Sequence, residues 1–408
     1  MTGLRIDSAR LQGRLETLGG IGRDATGRLA RLAATDADRA GRDQVASWMR
    51  EAGLEVLVDR VGNLFGLWRT GDAGAPPLML GSHIDTVIDA GIYDGCLGVL
   101  AGIEVVHTLR EANVRPARPI AVGAFTNEEG VRFAPDMMGS LVYAGGLGVA
   151  EVLATKGTDG ATLGAELARI GYAGPHEPGF LRPFAYLELH IEQGPILERE
   201  GFAIGAVENL QGISWQRVTI AGVANHAGTT PMALRHDAGL AAARVVAFVR
   251  DRALCPDFRT VATVGCMEFR PNAINVIPSR AVFTVDLRSP DETVLRAEEE
   301  ALARYLGELA EVEGVAISTE RLARTEPVTF DPALVAAIEA VAGKLGLGSR
   351  RVTSGAGQDA QMLARICPAA MIFVPSVGGI SHNPREFTRP ADLAAGANVL
   401  LGVVRALV

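Results

Sequence analysis

The sequence is short of cysteine, of positive charge and of long apolar runs, and each shortage closes off a class of protein. Only four of the 408 residues are cysteine: Cys96, Cys255, Cys266 and Cys367. They are scattered, with no C-x-x-C pair, so neither a zinc ribbon nor a disulfide framework is indicated, which fits a reducing compartment. No segment reaches the roughly 18 uninterrupted apolar residues of a membrane span. The apolar stretch 394–404 reads as a buried helix instead. The first twenty residues, MTGLRIDSARLQGRLETLGG, are charged throughout and lack the apolar core of a signal peptide. The expectation is a cytoplasmic protein with no membrane partner. Lys plus Arg number 39 against 47 Asp plus Glu, a net charge of −8. An acidic chain without a basic run is poorly suited to phosphate backbones, so no nucleic-acid partner is expected.

Several chemical signatures are missing too. There is no H-E-x-x-H; His176-Glu177 runs into Pro178-Gly179. There is no G-x-S-x-G elbow and no P-loop, and Ala144-Gly145-Gly146-Leu147-Gly148 lacks the dinucleotide spacing.

What remains is a globular composition, 48% hydrophobic and 21% charged, long enough for two or three folding units. The first half alternates apolar runs with helical periodicity. Runs at 78–80, 120–125 and 186–189 each end in a polar phrase, and 95–109 reads as a helix. That pattern predicts an α/β fold with a buried, mainly parallel sheet. From about 212 to 320 the order becomes strand, helix, two strands, helix, strand, with strands at 214–223, 260–269, 281–287 and 315–319. This suits an α+β unit with its helices on one face of an antiparallel sheet. A helix at 332–345, a loop at 353–357, a strand at 371–374 and a terminal helix then resume the first pattern. The expected division is therefore 1–210 with 322–408, interrupted by an inserted unit at 211–321.

The polar phrases carry the chemistry. In Gly81-Ser82-His83-Ile84-Asp85, His83 ends an apolar strand, and Asp85 is placed to accept its second ring N–H and fix the tautomer for a metal. Asp94, before Gly95, is placed to turn a carboxylate toward the same point. Glu128-Glu129 ends another strand, and adjacent carboxylates there need a cation or full exposure. One is a candidate ligand and the other a candidate general base; the residues alone leave the assignment open. His190 ends a third strand and His382 lies in a Gly-rich turn. Of seven histidines in the chain, three thus share one kind of setting. Histidines with carboxylates suit zinc, manganese, cobalt or nickel. His107, His176 and His236 read as structural.

These residues, in this order, resemble the M20 metallopeptidase-like amidohydrolases. The phrases HIEQGP (190–195), NHAGTTPM (225–232), RPNAINVIP (270–278), DLR (286–288), SGAG (354–357) and GISHNPREFT (379–388) are similar to the branch of N-carbamoyl-L-amino acid hydrolases, allantoate amidohydrolases and β-ureidopropionases. The resemblance implies two divalent ions per subunit. One would be held by His83, Asp94 and His190, the other by Asp94, Glu129 and His382, with Glu128 as base. It implies a homodimer in which the insert is both lid and dimerisation surface, and His226 reaches the partner subunit's site to stabilise an oxyanion. Gln193 would contact the carbamoyl group, while Asn275, Arg288, Gly357 and Gln358 would hold the rest of a small ureide, Arg288 gripping its carboxylate. Gln358 departs from the branch, which places a histidine there. A glutamine donates a hydrogen bond but cannot become cationic.

The activity this implies is hydrolysis of a ureido C–N bond. Two alternatives are an M20 aminoacylase or dipeptidase cleaving an amide, and an inactive ureide- or amino-acid-binding protein. His190 and Gln193 favour the first reading, because the peptidase branches usually carry a carboxylate at the position of His190.

Overall fold

The computed structural model describes residues 3–255 and 260–408. The chain divides into two units, Met1–Glu208 with Phe330–Val408, and Asn209–Thr329.

The strands, in chain order, are β1 (Glu55–Val58), β2 (Leu64–Trp68), β3 (Leu78–His83), β4 (Ile120–Phe125), β5 (Ala185–Ile191), β6 (Ile204–Leu210), β7 (Gly212–Ala221), β8 (Val261–Thr263), β9 (Met267–Arg270), β10 (Arg280–Ser289), β11 (Ala316–Thr325), β12 (Val328–Thr329), β13 (Ser349–Ser354) and β14 (Ala369–Val374). The first sheet runs β1-β2-β4-β3-β5-β14-β6-β12, with β13 beside β6. Its centre, β4-β3-β5-β14, is parallel throughout. Every residue of these four strands is buried, which is why they read as largely apolar runs rather than alternating ones. The flanking strands β2 and β6 pair antiparallel to this centre. Their contribution was not anticipated from sequence.

Helix Cys96–Glu111 packs on β3, β4 and β5 and is buried on nearly all sides. The terminal helix Pro390–Leu407 has the length and apolarity to cross a membrane, with a mean hydropathy of 1.3. In the fold it packs on β14 and on helices Cys96–Glu111 and Pro332–Lys344. Leu393, Ala397, Leu400, Leu401 and Val404 are buried there, so its hydrophobicity serves the core.

The second unit is a five-stranded antiparallel sheet, β11-β7-β10-β8 with β9 also on β10. Helices Ala238–Ala253 and Glu292–Glu313 start at Asp237 and Asp291, whose carboxylates cap the first backbone N–H groups. Their apolar stripes meet alternate residues of β10, and Val245, Leu295 and Leu302 share a core with Ala281, Phe283, Val285 and Leu287. The strand expected at 260–269 is two strands, interrupted at Val264-Gly265-Cys266. The second unit spans Asn209–Thr329 where 211–321 was expected, and β11 continues to Thr325, paired with β7 from Ala221 to Ile213.

Candidate metal centre

The parallel centre of the sheet explains the convergence of the polar phrases. Adjacent parallel strands present their C-terminal ends at one edge, where open α/β sheets place their sites. His83 is the last residue of β3, Glu128 and Glu129 follow β4, His190 lies near the end of β5, and His382 is on the loop after β14.

Asp94 stands between two groups. Its Oδ1 is 3.1 Å from His190 Nε2 and 3.6 Å from His83 Nε2. Its Oδ2 is 3.2 Å from His382 Nε2, which lies 3.3 Å from Glu129 Oε2. Two triads result, His83–Asp94–His190 and Asp94–Glu129–His382, each with ligand atoms close enough to hold one ion. They share Asp94, one oxygen to each. Glu128 belongs to neither; its Oε2 is 3.4 Å from His83 Nε2.

Ring orientation follows from the second nitrogen. His83 Nδ1 is 3.0 Å from the Asp85 carbonyl and His190 Nδ1 is 2.8 Å from the Ile191 carbonyl. A carbonyl only accepts, so each Nδ1 carries the proton and each Nε2 offers a lone pair. His83 Nε2 is buried without a hydrogen-bond partner, as a nitrogen reserved for a metal would be. Gly95 makes the approach possible: its φ is +62°, and a Cβ there would fall 2.4 Å from the His83 ring.

Asp85 acts differently from the expectation. Its carbonyl, not its carboxylate, holds His83; the carboxylate is 4.0 Å from Nδ1. The two carboxylate oxygens accept the backbone N–H groups of Glu128 and Glu129, at 3.2 and 3.3 Å. Asp85 therefore shapes the turn that carries both glutamates. The buried Arg42 supports the same turn through Thr126 Oγ1 at 3.2 Å, while pairing with Asp38 at 2.8 Å. Arg42→Ala strands a buried carboxylate and is expected to cost about 3–5 kcal/mol, read from urea unfolding. A loss under about 1 kcal/mol, the range of surface pairs, would contradict this role.

The remaining predicted residues fall into two groups. Gln193 and Gln358 join the centre: Gln193 Nε2 donates to Asp94 Oδ2 at 2.8 Å, and Gln358 Nε2 donates to Gln193 Oε1 at 2.8 Å. Gln358 is buried and grips Gln193, whereas it was expected to face a substrate carboxylate. Gly357 precedes it, with Met137 where a Cβ would go. His226, Asn275 and Arg288 belong to the second unit. There His226 and Asn275 are exposed on adjoining loops, with Ala227 N–H donating to the Asn275 carbonyl. These loops prolong the β7–β10 ladder beyond Ala221 and Arg280. Arg288 lies near the other end of β10, paired with Asp286 at 2.9 Å.

The profile of Peptidase family M20/M25/M40 matches residues 79–406, a span that contains both triads. The chain belongs to that family. An N-carbamoyl-L-amino-acid amidohydrolase of Rhizobium meliloti is 43% identical over 401 residues, covering 98% of this chain and 96% of its own. A ureidoglycolate hydrolase of Arabidopsis thaliana is 36% identical, covering 97% and 86%. A crystal structure of an amidase of the hydantoinase/carbamoylase family from Burkholderia multivorans superposes with a TM-score of 0.95 at 45% identity, over 99% of this chain and 98% of that one.

M20 enzymes depend on metal, and the electrostatics of this centre fit one. Burial raises the Glu128 carboxyl well above its usual range, and it raises Glu129 to about 7 with help from Asp94. His382 is pushed up to about 9, chiefly by Asp94. Burial alone would raise Asp94, but the three imidazoles around it hold it well below the carboxylate range. The centre is short of positive charge, which divalent cations would supply.

Sequence reasoning missed Glu386 and Ser381 in this M20 site. Glu386 is buried and accepts the backbone N–H groups of Tyr93 and Asp94 at 3.1 and 3.3 Å. Ser381 Oγ lies 2.9 Å from Glu386 and 3.1 Å from Asp94 Oδ2. Glu386 thereby ties the loop of His382 to the turn of Asp94. Both residues lie inside the phrase GISHNPREFT, but only the folded chain brings them to Asp94. Asn127, Gln193 and His382 take positive φ values of 57°, 57° and 52°. Such conformations cost about 1–3 kcal/mol each and gather where function constrains the backbone.

Proposed function

We propose that this chain hydrolyses the carbamoyl C–N bond of N-carbamoyl-L-amino acids or related ureides, yielding an amino acid or its analogue, ammonia and carbon dioxide. The observation that carries the reading is the pair of triads sharing Asp94, with Glu128 beside them and outside both. Full-length similarity to N-carbamoyl-L-amino-acid amidohydrolases supports the bond type.

His83, Asp94 and His190 would hold one divalent ion, and Asp94, Glu129 and His382 a second; zinc, manganese, cobalt and nickel all suit this donor set. Such ions supply polarisation of the carbonyl and a lowered pKa for the attacking water. Glu128 takes the proton from that water and returns it to the leaving nitrogen. Gln193 presents amide donors beside Asp94, where a ureido oxygen would be bound.

The second unit supports a homodimer. From Arg280 to Arg288, β10 spans about 27 Å at roughly 3.3–3.4 Å per residue, and His226 and Asn275 lie beyond its Arg280 end. A small ureide cannot touch both ends of that strand. In our reading, Arg288 grips the carboxylate of one substrate molecule and His226 serves another, in the partner subunit's site. Mixing Glu128→Gln with His226→Ala subunits is then expected to recover activity that neither variant shows alone. Mixed dimers with no recovery would refute sharing across the interface. The four free cysteines support a cytoplasmic location.

Ammonia release from N-carbamoyl amino acids, allantoate and ureidoglycolate, beside release of the free amino acid from N-acyl amino acids, tests the function. Turnover of the N-acyl compounds alone would make the chain an aminoacylase. No turnover of any compound by a fully metal-loaded sample would make it a binding protein.

A further inference from the structure

We propose that Gln358 is a positioning residue that acts on the metal centre through Gln193. The inference rests on Asp94 being the shared ligand, as read above.

The argument begins with hydrogen-bond polarity. A primary amide has a donor end and an acceptor end, and a carboxylate only accepts. Gln193 turns its Nε2 to Asp94 Oδ2 at 2.8 Å, so its Oε1 must face a donor, and Gln358 Nε2 supplies one at 2.8 Å. With either amide reversed, two acceptors or two donors would meet. Gln358 is 1% exposed, so water is poorly placed to substitute for it. Both backbones are fixed as well. Gln193 sits at φ 57° with its N–H on Ser376 Oγ at 3.0 Å, and Gln358 begins the helix Asp359–Leu363.

Two amides in series thus define which atom of Gln193 meets the shared carboxylate. Removing the far amide frees Gln193 to rotate and weakens its hold on Asp94. Residues behind a metal ligand typically contribute about 10–100-fold in metal affinity or activity.

A double-mutant cycle on the full-length, metal-loaded protein tests this. Gln193→Met, Gln358→Met and the double variant keep the side-chain volume and remove the amides. Metal affinity is read with zinc by chelator competition, beside kcat and KM for an N-carbamoyl amino acid. Gln358→Met is expected to weaken zinc binding by about tenfold, and to have no effect once Gln193 is Met. Gln358→Glu keeps the shape but presents acceptors, and is expected to match Gln358→Met. Gln358→His retains a ring N–H donor and is expected to restore most of the affinity. Additive losses in the double variant would overturn the proposal. So would a change confined to KM with zinc affinity intact, which would make Gln358 a direct substrate contact. If the wild-type chain bound no zinc, the metal-centre reading would fall with it; if it bound zinc but hydrolysed no ureide, only the functional reading would fall. Thermal melts with chelator present identify a variant that is merely misfolded; in that event Gln358→Glu and Gln358→His decide between the outcomes.

Discussion

Glu128→Gln is expected to lower kcat by about 10²–10⁴-fold, the contribution of a positioned general base, while both ions stay bound. The carboxylate lies 3.4 Å from His83 Nε2 and outside both triads. Glutamine keeps its shape and can still fill the buried space, but it cannot take a proton. Glu129→Gln provides the contrast. Glu129 faces His382 at 3.3 Å within a triad, so this neighbouring change, identical in chemistry, is expected to deplete one ion. Elemental analysis beside steady-state kinetics separates the two. Loss of metal from Glu128→Gln, with metal retained by Glu129→Gln, would exchange the two roles.

That the roles separate at all depends on structure that sequence renders unevenly. The parallel strands were legible because burial on both faces leaves largely apolar runs, and polar phrases at their ends marked the site edge. His83, Glu128, Glu129, His190 and His382 could be found this way. Strands β1, β2 and β6 were harder: β1 is only partly buried, and β2 and β6, though largely buried, carry no motif. The hydrogen bond that orients His83 was misassigned because position 85 offers two acceptors. Only the fold shows that the carbonyl meets the ring while the carboxylate turns to the Glu128-Glu129 backbone.

Long-range side-chain partners were the least legible. Glu386 reaches Asp94 from 292 positions away, and Gln358 reaches Gln193 from 165. Nothing in local spacing forecasts such contacts, because loop closure brings together segments whose sequences are independent. Gln358 illustrates the consequence. The resemblance implied a substrate contact at that position, whereas the fold gives it a glutamine partner.

Asp94→Asn is expected to remove both ions and take turnover below detection. Each carboxylate oxygen faces a different triad, Oδ1 toward His83 and His190, and Oδ2 toward His382. An amide keeps the size of the group, but it offers one neutral oxygen where two anionic ones are needed. His190→Ala and His382→Ala each disable one triad and are expected to lose one ion apiece. Stability reports the same hierarchy without any assay of activity. Metal at about a hundred times its Kd adds about 2.7 kcal/mol to the folded state, and Asp94→Asn is expected to abolish that gain while each single-triad variant keeps part of it. Measuring urea unfolding with metal and with chelator, beside metal content, gives two independent counts. If Asp94→Asn retained one ion, Asp94 would belong to a single site, and the centre would be two separate metal positions rather than one built around a shared carboxylate.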